Sequence, residues 1–151
     1  MKINEILQKD NISLSFEVFP PKNDTVFEEI KTATEKIAQL KPSFISVTYG
    51  AGGGTSKYTL EIAKNIEKNF SVPTLAHLTC ISSRKETVLD RIKELKEANI
   101  KNIMALRGDI PFERQNDDRS TWDFRYAVEL IKETASHLLT PILFIPVSSL
   151  I

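Results

Sequence analysis

Apolar runs of five to seven residues recur along this chain, each followed by an amphipathic run, and each closes on a polar residue at nearly the same interval. The closing residues are Glu17, Thr48, His77 and Arg107, which subtraction of their numbers places 31, 29 and 30 residues apart. About thirty residues is the length of one strand plus a crossover helix, so the period predicts α/β structure with parallel strands. Strands are expected over Ser13 to Phe19, Ser43 to Tyr49, Pro73 to Thr79 and Asn102 to Arg107. A fifth over Pro141 to Val147 would be an edge strand, because its two prolines cannot donate to a ladder.

Helices are expected between them. Thr25 with Glu28, and Ser83 with Glu86, have capping-box spacing. Phe27, Ile30, Ala33, Ile37 and Leu40 form one apolar stripe, and Val88, Leu89, Ile92 and Leu95 another. Further helices are predicted near Ser56 to Asn69 and Thr121 to Ser136, the last anchored by Trp122 with Tyr126 one turn on. Strand and helix thus alternate four times with a half unit left over, in one domain without a polar linker.

The 151 residues suffice for one core, and 41% hydrophobic with 26% charged residues reads as a soluble globular chain. Twenty basic residues balance twenty acidic ones, which argues against nucleic acid and anionic membranes as partners. Met1 to Ile12 is too polar for a signal peptide, and Leu138 to Ile151 is too short and proline-broken to span a bilayer. One cysteine, Cys80, builds no disulfide framework, so a cytoplasmic location is expected. Two histidines and one cysteine supply no metal constellation.

Alternation predicts which side chains share a face. Ser15, Glu17 and Phe19 would line one side of the sheet with Phe44, Ser46 and Thr48, with Leu75, His77 and Thr79, and with Ile103, Ala105 and Arg107. The opposite sides, including Met104 and Leu106, would pack on helices. The polar ends would then meet at the carboxyl ends of parallel strands, where both closed barrels and open doubly wound sheets build sites. Glu17, flanked by Phe16 and Val18, is expected to be buried with a raised pKa suited to proton donation, unless it is simply paired with a cation. Gly50-Ala51-Gly52-Gly53-Gly54 matches neither phosphate-loop nor dinucleotide fingerprint and reads as a plain turn or a close approach to a ligand. His77 is either a hydrogen-bonded core residue or a catalyst. In Arg107-Gly108-Asp109 the two charges either pair or grip a ligand.

Phe16-Glu17-Val18-Phe19-Pro20-Pro21, Ser46-Val47-Thr48-Tyr49-Gly50-Ala51, His77-Leu78-Thr79-Cys80 and Ala105-Leu106-Arg107-Gly108-Asp109 occur in that order. With them the chain resembles the methylenetetrahydrofolate reductase family from about Ile12 to Glu133. The resemblance implies a (β/α)8 TIM barrel, here about four and a half of its units, holding FAD. It implies hydride passage from NADH or NADPH through the flavin to 5,10-methylenetetrahydrofolate, giving 5-methyltetrahydrofolate for one-carbon and methionine metabolism, and a homo-oligomer. Glu17 matches the family's general acid, and Asp109 the acid beside flavin and folate that stabilises an iminium. Thr48, Tyr49, Ala51, His77, Arg107 and Gly108 match flavin contacts. Tyr126 and Ala127 match positions near the adenosine portion. The family's next Tyr-Pro-Glu segment is missing after Glu133, and residues 137–151 diverge from it. A non-catalytic half-barrel that self-associates is therefore the alternative expectation.

Overall fold

A computed structural model describes residues 1–9, 12–21, 23–49, 56–81, 83–137 and 143–144. Five parallel strands lie in sequential order: β1 (Ser15–Val18), β2 (Phe44–Val47), β3 (Thr74–Thr79), β4 (Asn102–Leu106) and β5 (Leu143–Phe144). Helices α2 (Phe27–Gln39), α3 (Ser56–Phe70), α4 (Lys85–Glu97) and α5 (Ala127–His137) make the crossovers. The order never reverses, so the sheet lacks the switch point of a doubly wound fold. The rest of the predicted fifth strand lies outside the described residues.

All four crossover helices share one core with one side of the sheet. Ile45, Val47, Ala76, Leu78, Ile103 and Ala105 pack there with Ala38 of α2, Ile62 and Ile66 of α3, Val88 and Ile92 of α4, and Leu130 of α5. Leu78, Ile103 and Leu130 are essentially fully buried, worth roughly 1.5–3 kcal/mol each relative to exposure. The stripe of α2 differs from expectation. Ala33 and Leu40 are exposed, while Thr34 and Ala38 take the inward positions. Thr34 can do so because its hydroxyl donates to the Ile30 carbonyl at 2.8 Å.

Neither predicted capping box forms. Helix α2 is entered through a 3-10 turn, Asp24–Val26, so Thr25 lies inside that turn. For α4 the cap comes from afar: Asp123 accepts the Lys85 backbone N–H at 2.8 Å, across 38 residues. The last helix begins six residues later than predicted, after a 3-10 turn at Arg119–Thr121, so Trp122 precedes it.

The register corrects one face assignment. His77 pairs with Met104 and Thr79 with Leu106. Asn102, Met104 and Leu106 therefore share the His77 side, while Ile103 and Ala105 face the helices. A one-residue slip in reading a strand exchanges its two faces. Arg107 had been aligned with His77 by spacing, yet it follows the strand's last residue.

Helix α1 (Ile3–Leu7) has no counterpart among the predicted elements. Its Ile3 and Ile6 pack on Phe44, Leu75 and Met104, at the amino ends of β2–β4 on the side opposite the crossover helices. Buried Asn102 ties it down. Its Oδ1 accepts the Ile3 N–H at 2.9 Å, and its Nδ2 donates to the Met1 and Thr74 carbonyls at 3.3 and 3.1 Å. This side of the sheet is thus plugged at one end and polar at the other.

Candidate active site

Three side chains meet beyond the plug. Glu17 of β1, Ser46 of β2 and His77 of β3 share the side of the sheet away from the crossover helices. Ser46 Oγ lies 2.7 Å from His77 Nε2, and Glu17 Oε1 lies 3.7 Å from the same nitrogen. The register explains the meeting. Glu17 stands opposite Ser46, and Ser46 is level with Leu75, one inward position before His77. Ser46 and His77 are buried at 8% and 7% exposure. Loss of hydration lowers the His77 pKa, and the nearby Glu17 carboxylate opposes this more weakly.

Glu17 is not buried. Its side chain is 49% exposed, because β1 is an edge strand and nothing among the described residues covers its polar face. The desolvation expected from its apolar neighbours is absent, since Val18 turns to the opposite, helix-covered face. Ser46 was read only as a face-mate, and its role was missed. The available signal was its position two residues before Thr48 on the same face.

The remaining candidates fall into separate places. Thr48 is half-buried at the end of β2. Its N–H donates to the Val18 carbonyl at 3.0 Å and its own carbonyl accepts the Thr59 hydroxyl at 2.9 Å. Tyr49 packs against the helix-side core and interacts with Arg91 of α4. Ala51 and the glycine run lie outside the described residues. Among the described residues, Asp24 accepts from Lys57 Nζ at 3.0 Å and from the Tyr58 hydroxyl at 2.5 Å. These bonds, the tyrosine's first, hold the Asp24 carboxyl below its ordinary pKa and join the starts of α2 and α3.

Arg107, Gly108 and Asp109 form the turn after β4. Arg107 and Asp109 are both exposed, and no ion pair joins them among the described residues. Arg107 Nε donates instead to the Gly108 carbonyl at 3.2 Å. Gly108 has φ +83°, and a Cβ there would come within 2.9 Å of Thr79 Cβ and 3.2 Å of Ile81 Cγ2. Only glycine fits so close a passage of the β4 turn against the end of β3.

A cleft of about 140 Å³ opens beside this turn, lined by Arg107, Arg119, Trp122, Arg125 and Tyr126 among others. Tyr126 is 60% exposed, and Ala127, first residue of α5, is half-buried. Among the described residues no acidic side chain lines the cleft; Glu129 engages Arg125 at 3.6 Å from outside it. Trp122 Nε1 is buried with no hydrogen-bond partner among the described residues, and the Arg114 guanidinium lies over the indole ring at 5.0 Å. Guanidinium groups beside two aromatic rings suit an anion carrying a flat ring system.

The structure thus brings Glu17 and His77 together, brings Arg107 and Tyr126 together, and leaves Tyr49 on the helix side. Among the described residues no helix is long and apolar enough to cross a membrane.

Comparison with known proteins identifies the family. Residues 2–140 match the family model described as methylenetetrahydrofolate reductase. The chain is 37% identical over 122 residues to 5,10-methylenetetrahydrofolate reductase of Pectobacterium carotovorum subsp. carotovorum, an alignment covering 81% of this chain and 40% of that protein. It is 33% identical over 136 residues to methylenetetrahydrofolate reductase 2 of Schizosaccharomyces pombe, covering 87% and 21%. It is 31% identical over 135 residues to methylenetetrahydrofolate reductase (NADH) 1 of Arabidopsis thaliana, covering 89% and 23%. The chain therefore spans well under half the length of these relatives. A family match over nearly the whole sequence, on a sequential parallel sheet, means that the chain belongs to the methylenetetrahydrofolate reductase family.

Proposed function

We propose that this chain carries the amino-terminal units of a (β/α)8 barrel that reduces 5,10-methylenetetrahydrofolate to 5-methyltetrahydrofolate with FAD and NADH or NADPH. The observation that carries this reading is the approach of Glu17 to His77, two family-matched positions sixty residues apart, on β1 and β3 either side of β2. The Arg107–Tyr126 cleft, cationic and aromatic in its lining, fits the anionic and adenosine portions of FAD. Arg107 and Tyr126 would hold them, with Ala127 beside them. Thr48, Ala51, His77 and Gly108 would contact the rest of the cofactor, whereas the Tyr49 side chain packs on the helix-side core. When bound, the flavin supplies the hydride.

In this reading Glu17 donates a proton to a folate nitrogen so that the methylene bridge opens, and the Asp109 carboxylate stabilises the resulting cation. Glu17→Gln should keep NADH oxidation with an artificial acceptor and lose folate reduction, by about 100-fold or more. Equal loss of both activities in a folded variant would reject the acid role, and purified protein that takes up no added FAD would reject the cofactor.

A second reading is a non-catalytic half-barrel that self-associates. It is favoured by the polar face left uncovered among the described residues and by exposed Leu14 and Phe19, which flank edge strand β1. Gel filtration separates the two: a colourless dimer supports the second reading, and a yellow species supports the first.

A further inference from the structure

One nitrogen in the inner cluster meets two partners. Ser46 Oγ is within hydrogen-bond distance of His77 Nε2, whereas Glu17 Oε1, at 3.7 Å, is not. A neutral imidazole has one N–H and one acceptor nitrogen, so only one of two arrangements holds. Either Nε2–H donates to Ser46, or the Ser46 hydroxyl donates to a bare Nε2.

We propose that Ser46 is a positioning residue whose hydroxyl donates to Nε2 of His77, holding the ring in its Nδ1–H form and presenting a neutral ring, not a cation, to the Glu17 carboxyl. Three observations support the choice. His77 is buried, which penalises the imidazolium. The polar groups nearest it on the strands before it are Glu17 from β1 and Ser46 from β2, and Met104 of β4 stands level with it, so among the described residues Glu17 is the one charge facing the ring. Glu17 is half-exposed on an edge strand and free to approach. A hydrogen on Nε2 would draw its carboxylate to a charge-assisted distance of about 2.8 Å, yet it stands off at 3.7 Å. The functional meaning of the arrangement rests on Glu17 as proton donor; the proton arrangement itself does not.

The test is long-range 1H–15N correlation of the histidine rings, with His137→Gln to separate the two histidines. The expected result is a neutral His77 ring at pH 7 with hydrogen on Nδ1. Ser46→Ala should raise the His77 titration midpoint by about half a unit to one unit, the size of one hydrogen bond. Ser46→Thr keeps the hydroxyl and should restore the wild-type midpoint. A hydrogen on Nε2 in the wild-type protein overturns the proposal, as does a midpoint unmoved or lowered in Ser46→Ala. The wild-type measurement decides alone if the alanine variant does not fold. Loss of the Glu17→Gln distinction with the ring result intact would reject the enzymatic reading and leave this one standing.

Discussion

Gly108→Ala tests the turn that joins the two halves of the site. Two separate costs follow from the geometry. The residue sits at φ +83°, and holding an L side chain in that region costs roughly 1–2 kcal/mol. The added Cβ would also meet Thr79 Cβ at 2.9 Å, backed by Thr79 Cγ2 and Ile81 Cγ2 at 3.2 Å each. These atoms belong to a strand end and the residues just beyond it, where Cys80 N–H donates to the Leu106 carbonyl at 3.2 Å and Ile81 N–H to the Arg107 carbonyl at 2.8 Å. They yield little, and overpacking of this kind costs roughly 1–3 kcal/mol. Together the loss is about 2–5 kcal/mol, a large fraction of a typical domain's stability. Urea unfolding should show the midpoint falling by about 1–2 M at an unchanged slope. A Thr79→Ala background removes Cγ2 but keeps Cβ, so it should relieve part of the loss and give a measurable coupling energy. A fall below about 0.5 kcal/mol, or strict additivity with Thr79→Ala, would refute the steric argument.

Other substitutions probe the supports of the site. Asn102→Ala removes three hydrogen bonds from a fully buried amide and should cost about 2–4 kcal/mol, with the Ile3 amide losing protection from hydrogen exchange. An Ile3 amide still protected would show that α1 is held otherwise. His77 has a folded pKa below its unfolded value of about 6.5, so its contribution to stability is fully present above that pH and is lost as pH falls toward the lower folded value. His77→Gln should therefore flatten the decline in stability between about pH 7 and 5, and an identical decline in both proteins would contradict the burial argument. Cys80 is fully buried, and lost hydration pushes its thiol pKa up to about 11. It should stay unreactive toward a disulfide reagent at pH 8 until urea unfolds the chain; prompt native-state reaction would refute this.

Periodicity carried the architecture because it reflects the length of a βα unit, which chain geometry fixes within a few residues. Strand parity is a finer property. Spacing aligned Arg107 with His77, but the register pairs His77 with Met104, and no count of unit lengths detects a shift of one residue. The cap on α4 was illegible for a different reason: its carboxylate, Asp123, is distant in sequence, while the local candidates Ser83 and Glu86 stay unused. Lys41, Ser71 and Asn99 take left-handed backbone after α2, α3 and α4, ending three helices the same way without the glycine that usually marks the position. Helix α1 was missed because its buried apolar content is two isoleucines, and what stabilises it is a buried asparagine 99 residues from Ile3. For Glu17 the sequence context was apolar on both sides, but those neighbours alternate to the far face of an edge strand. Flanking hydrophobicity in a strand reports the burial of the flanks, not of the residue between them.

The slip in β4 also bears on what kind of ligand could use this face. With Arg107 aligned to His77, every polar group would converge on one compact pocket, and a small molecule could satisfy them all. The observed register divides them. Glu17, Ser46 and His77 lie on the face above the α1 plug, and Arg107 turns toward the cleft with Trp122 and Tyr126 before α5. The boundary between the two is the contact of Gly108 with Thr79, where the turn after β4 passes against the inward residue two beyond His77. A compact ligand would engage one group or the other. An elongated one, anionic in its middle and aromatic at both ends, would cross at Gly108 and engage both. A dinucleotide has that shape. The glycine serves two demands at once, positive φ and clearance from Thr79 and Ile81, so a larger residue there should displace the turn at the crossing and weaken uptake of such a ligand even in a background where stability has been restored.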